Sequence, residues 1–295
     1  MAPPEGTKTL LFLKRSWRVA LDAFWQFNAD DGWAIASHIA LSALMSLFPF
    51  LLIITAMAGM FGSANLADEA ANLLLEAWPA EVAAPIGLEI HSVLASAQGQ
   101  VLTIGTVLAL YFASSGIESL RIGLNRAYGM TEPRGLWLTR IESIGYVILG
   151  AISMLALSFF VLLAPLIWRA AQRRFPAIEP FSDVVTFWRL AIVSLLLIVT
   201  LFVVHKWLPA GRRKFREIYP GILATLVLWM IAGTLFGRYL ADFAFAYSIY
   251  YAGLASTMIA LIFLYLTASI FIYGGELNAA ILRRRAEDAG KPKKR

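Results

Sequence analysis

Six times along this chain an apolar run reaches the length a helix needs to cross a hydrocarbon core about 30 Å thick, about 20 residues. The runs cover about Ala34 to Phe61, Val101 to Leu120, Ile141 to Trp168, Phe187 to Trp207, Tyr219 to Tyr239 and Tyr250 to Leu282. A water-soluble core cannot absorb six such segments. Composition agrees, with 59% apolar and 15% charged residues against roughly 45–50% and 25% in soluble domains. Strand-like alternation is missing, which argues against a transmembrane barrel. The sequence therefore predicts an all-α polytopic membrane protein of six transmembrane helices with amphipathic interfacial helices. Residues 1–33 read as a cytoplasmic amphipathic segment and 34–282 as the six-helix domain, with an outer helical cap over 62–100. Residues 283–295 read as a basic, disordered cytoplasmic tail.

Basic residues between the spans set the orientation. The N-terminal segment, the loops after spans two and four and the C-terminal tail carry 20 of the 25 Lys and Arg. With six spans these segments share one face. The loop Gly62 to Gln100 has no Lys or Arg but five acidic residues, so both termini are expected in the cytoplasm. Arg169, Arg173 and Arg174 are the discordant group. Leu10 to Leu13 is too short for a signal-peptide core, so no cleavable leader is expected. Leu13, Trp17, Ala20, Leu21 and Phe24 instead recur at helical spacing among Lys14, Arg15 and Arg18, the pattern of a helix lying in the interface. In the acidic loop, Val82, Ile86, Ile90, Val93, Leu94 and Ala97 share a helical face. The basic face is expected to attract anionic lipid head groups. The same charges are explained by topology, so nucleic acid is not an expected partner.

Ionisable residues inside a bilayer are costly and turn toward the bundle interior or a water-filled path. Glu118 lies 17 residues beyond Val101, about 26 Å along a helix, which places it at the cytoplasmic boundary. Glu276 falls at a similar depth. Arg121 and Asn125 follow Glu118 at i+3 and i+7, on the same face. One reading gathers Glu118, Arg121, Asn125, Glu276 and Asn278 into an inner cluster that gates a path or holds a polar head group. The other pairs Glu118 with Arg121 and leaves the rest to cap helices or reach water. His38, Ser42 and Ser46 form a stripe on span one, with Pro49 three residues on. Such a stripe lines a route or lets helices pack closely. Arg189, Arg238 and Asp242 form a candidate outer polar cluster, since Arg238 and Asp242 are spaced for an i, i+4 pair. Tyr219-Pro220 reads as a helix start.

Several chemistries lack residues. There is no cysteine, hence no thiolate nucleophile or Cys-bound metal. His38, His91 and His205 fall on three segments without metal-ligand spacing. There is no phosphate-binding loop of the P-loop type. No nucleophile–base pair is visible, and neither an enzyme nor a cofactor is expected.

Four motifs carry a family resemblance. Ser42-Ala43-Leu44-Met45-Ser46-Leu47-Phe48-Pro49 contains an SLFP signature. Leu124-Asn125-Arg126-Ala127-Tyr128-Gly129 supplies an N-x-A-Y segment. Tyr219-Pro220-Gly221 and Gly274-Gly275-Glu276-Leu277-Asn278-Ala279 follow in order. Over about Ala34 to Ala280 the chain resembles the YihY/BrkB family. The resemblance implies a bacterial inner-membrane protein with six spans and cytoplasmic termini. It also implies transport across the membrane, of lipid-like molecules, as the expected activity, and an old ribonuclease BN label as a misassignment. Pro49, Asn125, Tyr128, Gly275, Glu276 and Asn278 are the matching residues, to which it assigns no chemistry. The functional expectation is a transporter or flippase for a lipid-like or small amphipathic molecule. A non-transporting scaffold or envelope assembly factor is the alternative, and a membrane-bound ribonuclease the weakest reading.

Overall fold

The computed structural model describes residues 5–60, 99–251 and 255–288, and among them every regular element is helical. The cap expected over 62–100 lies almost wholly outside the described residues, as does the chain beyond Asp288. The elements are α1 (Glu5–Ala29), α2 (Gly32–Met60), α3 (Gly99–Ala127), α4 (Leu136–Ser158), a π-helical turn (Phe159–Leu163) and α5 (Ala164–Arg174). A 3-10 segment (Pro176–Phe181), α6 (Ser182–Trp207), α7 (Phe215–Tyr251) and α8 (Ala255–Asp288) complete them. Five stretches are long and apolar enough to cross a membrane: Ile104–Ala127, Leu136–Arg174, Pro176–Trp207, Phe215–Asp242 and Thr257–Asp288. Gly32–Leu47, the first part of α2, adds a shorter apolar helix. This is a polytopic membrane architecture.

α8 is the hub, touching α1, α2, α3 and α7, while α2 and α3 form the tightest pair. α4 leans on α3, and α6 bridges α4 and α7. Leu124, Ile218, Ile222 and Phe271 make the apolar centre where α3, α7 and α8 converge. Phe27, Ile35, Ala268 and Ile272 make a second centre where α1, α2 and α8 meet.

Helix ends follow from local chemistry. α3 stops where Gly129 takes φ +60°. Its N–H donates to the Arg126 carbonyl and the Met130 N–H to that of Asn125, a Schellman close that a side chain at Gly129 would strain. α1 turns into α2 through Asp31, φ 58°, a left-handed position Asp tolerates better than most residues. At Pro165 the missing N–H does not break the helix. The chain widens over Phe159–Leu163 and the Ala164 N–H reaches the Phe159 carbonyl five residues back; such π turns relieve local mismatch.

One expectation changes. Tyr219-Pro220 does not open a helix, because α7 begins at Phe215 and holds Pro220 inside it. Pro220 has no N–H to offer the Arg216 carbonyl, and Arg285 of α8 donates to that oxygen instead. α1 packs through a face separate from the aromatic one read as lying in the interface. Val19, Ala23 and Phe27, at i, i+4 and i+8, are buried against α8 and α2. Trp17, Leu21 and Phe24 stay exposed beside them. Side-chain ties fix α1 along α8: Arg284 with Asp22 at 2.7 Å, Arg15 with Asp288, and the Tyr273 hydroxyl on the Ala20 carbonyl.

Candidate functional site

At the end of the bundle where α1, the loop 128–135, the loop 208–214 and the end of α8 meet, polar side chains form two connected sets. The first grows from α3. Glu118, Arg121 and Asn125 share a face, as their spacing requires. Arg121 is 1% exposed. Its guanidinium binds the Glu118 carboxylate, donates to the Thr139 carbonyl at 3.0 Å and lies 3.6 Å from Glu142. The Ser143 hydroxyl adds a 3.0 Å bond to Glu118. Glu142 passes the chain to Arg134 at 2.7 Å, and Arg134 grips Glu132 through two nitrogens while reaching the Leu208 carbonyl at 2.9 Å. Asn125 closes the set, donating to Glu132 and accepting from the Ala210 N–H at 2.7 Å. Acid and base alternate, so no like charges face each other. The Arg134 fork holds the Glu132 carboxyl well below its usual range, at about 2, with help from Asn125.

The second set is built on α8. Asn278 is fully buried; its carbonyl accepts the Gly221 N–H at 2.6 Å and its amide donates to the Tyr128 hydroxyl at 3.3 Å. Here α7 and α8 nearly touch backbones. A Cβ on Gly221 would strike the Gly274 carbonyl, and one on Gly274 the Thr225 hydroxyl. The Arg213 guanidinium lies 3.8 Å over the Tyr128 ring and donates to the Ala210 carbonyl at 2.8 Å. Burial pushes the Tyr128 hydroxyl up to about 12 and lowers Arg213. Since Asn125 and Arg213 both hold Ala210, the loop 208–214 joins the two sets.

The five residues expected in one inner cluster thus fall into two arrangements. Glu118, Arg121 and Asn125 belong to the first and Asn278 to the second. Glu276 joins neither: it is fully buried and, among the described residues, neither carboxyl oxygen meets a hydrogen-bond donor. Asp30 is the acidic group beside it and Arg283 the basic one.

An open cleft of about 700 Å³ runs between α2 and α3 at this end. His38, Ser115, Glu118, Ser119, Arg126 and Arg140 line it. His38, read from sequence without a partner, has one: the Ser119 hydroxyl is 2.6 Å from its Nδ1, with Ser42 at 3.5 Å. Arg126 pairs with Asp31 at 2.9 Å, and Arg140 donates to Ser115 while lying over the Tyr111 ring. Ser42 is buried opposite Gly116, where the helices approach closely, and Ser46 bonds the Ala43 carbonyl of its own helix. Pro49 lies on α2 where side chains fall outside the described residues.

Arg189, Arg238 and Asp242 are not joined by an ion pair among the described residues. Arg189 opens on a second cleft with Trp168, Arg169 and Gln172 between α5 and α6, while Arg238 and Asp242 stand on α7. Glu132, Arg134, Glu142 and Ser119 went unselected as site residues. The signals were two carboxylates flanking the loop that holds Arg134, and a serine one residue after Glu118.

The Virulence factor BrkB family model matches residues 23–295. Ribonuclease-like protein YfkH of Bacillus subtilis is 26% identical over 264 residues, covering 90% of this chain and 95% of that protein. A UPF0761 membrane protein of Rhodospirillum centenum is 26% identical over 271 residues, covering 91% of this chain but 58% of its own length. No solved structure matches.

Proposed function

Since the chain belongs to the Virulence factor BrkB family, we propose that it is an inner-membrane transporter or flippase for an amphipathic molecule with an anionic head group. In this reading both described ends lie in the cytoplasm, where the basic residues are concentrated, and anionic lipids gather at that face. The observation that carries the reading is the cleft between α2 and α3. It sets the guanidinium groups of Arg126 and Arg140 and the polar His38 and Ser119 beside the carboxylates of Asp31 and Glu118, with the apolar Ala34, Ile35 and exposed Ile122 in the same lining. A head group sits among the guanidinium groups while its acyl chain runs along the apolar residues.

A scaffold role is the second reading, favoured by the mutual satisfaction of Arg121, Glu142, Arg134 and Glu132. We read the chain as non-enzymatic. What supports this reading is that no three His, Asp or Glu gather as a metal-ligand group among the described residues. The Ser119–His38 contact lacks a carboxylate on the imidazole's far nitrogen among those residues, so the nucleophile–base–orienter logic is incomplete.

Reconstitution in liposomes with a fluorescent anionic phospholipid tests the proposal. Transbilayer movement should exceed that of protein-free vesicles and fall at least tenfold in Arg140→Ala. Movement equal to empty vesicles, with the protein folded, would leave the scaffold reading standing.

A further inference from the structure

Glu276 presents a chemical demand that the rest of the bundle does not meet. Its side chain has no exposure, and among the described residues neither oxygen has a donor and no cation forms an ion pair with it. An ionised carboxylate left so costs several kcal/mol. The acidic group beside it is another carboxyl, that of Asp30 at the turn between α1 and α2. Two carboxylates offer only acceptors, so neither satisfies the other until one carries a proton and becomes a donor. Gln26 donates to one Asp30 oxygen at 3.1 Å, which leaves the other Asp30 oxygen as a further acceptor.

We propose that Glu276 and Asp30 form a proton-binding site, one proton being held between the two carboxyl groups. The pair then keeps a single negative charge, balanced by Arg283 one and a half turns or more along α8. Asp30 stands at the turn between α1 and α2 and is partly exposed, so the proton exchanges with water through it. Glu276 in turn bears on the Tyr128 hydroxyl just beyond α3. The other charged and titratable groups on the elements packed here are engaged elsewhere: Arg126 of α3 with Asp31 and the Asp30 backbone carbonyl, Tyr273 of α8 with the Ala20 carbonyl, His38 of α2 with Ser119, and Glu217 of α7 with the Lys214 amide. A metal cation fits poorly, since it takes six or more oxygen ligands and no third acidic or imidazole group joins the pair. The site is a property of the folded bundle and does not depend on what, if anything, crosses it.

Infrared difference spectra of the purified full chain between neutral and alkaline pH test the assignment. A protonated carboxyl band should be present at neutral pH, vanish on alkalinisation and be absent from Glu276→Gln. In Asp30→Asn the amide can donate to an ionised Glu276, so the band should vanish at lower pH. Thermal unfolding in detergent supplies an independent readout: melting temperature should fall with rising pH in the wild type, and the fall should be lost in Glu276→Gln, which keeps a neutral donor in place. The proposal fails if no such band exists at neutral pH, or if Glu276→Gln leaves it intact. It fails equally if sodium, and not choline, is what raises the wild-type melting temperature.

Discussion

α3 and α8 have 39% and 44% of their most apolar stretches buried inside the protein, whereas the α4–α5 arm and α6 have 6% each. Yet the two least buried segments are the most apolar of the five. In a water-soluble fold the most apolar helix would be the most enclosed. Here lipid takes the place of the core for α4 and α6, and contact among α2, α3 and α8 is driven by close packing and polar ties. The two halves obey different rules. On one, side chains are chosen for partners; on the other, for solvent.

The largest effect should follow from removing Arg121. Arg121→Met takes the guanidinium from Glu118 and leaves Glu142 to Arg134 alone, a loss of about 3 kcal/mol readable as a lower melting temperature in detergent. An equal result for Arg189→Met would break the distinction between the halves. Leu195, 60% exposed in the middle of α6, offers the converse experiment. Leu195→Arg should cost about 2.5–3.5 kcal/mol of membrane insertion, measured in a glycosylation-mapping assay. Gly221→Ala comes next: the Cβ meets the Gly274 carbonyl and the Asn278 amide, and overpacking of this kind costs about 1–3 kcal/mol.

Acid provides a subtler probe. Glu132 is held ionised down to about 2 against a usual 4.5. Its lowered value means that its stabilising share is complete above 4.5 and lost as pH falls toward 2. Glu132→Gln should flatten that segment of the stability profile in acid titrations of the purified protein. The smallest effect is expected at Leu195→Ala, within about 0.5 kcal/mol, because truncation facing lipid leaves no cavity.

Much of this was readable from residue order, for a physical reason. Hydropathy marks spans whatever their neighbours, and i, i+3, i+7 spacing puts Glu118, Arg121 and Asn125 on one face before any partner is known. The partners were not readable. Thr139, Glu142 and Ser143 meet Arg121 only because α4 presents one particular side to α3, and no local pattern specifies that choice. His38 found Ser119 by the same route, across 81 positions of sequence. Pro220 misled because its cost inside a helix is usually decisive, and here Arg285, far away in sequence, answers the freed carbonyl. On α1 the bulky Trp17, Leu21 and Phe24 drew the eye, although small Ala23 allows the close approach to α8.

The helix that touches α1, α2, α3 and α7 is also the last of the described helices in chain order. Until α8 is in place, the earlier helices have the α2–α3 contact but lack the surface against which Gly221, Leu124 and Phe27 fit. The bundle therefore closes through one late docking event, and a chain cut short before Ala255 should be more open to quality-control proteolysis than one that carries α8.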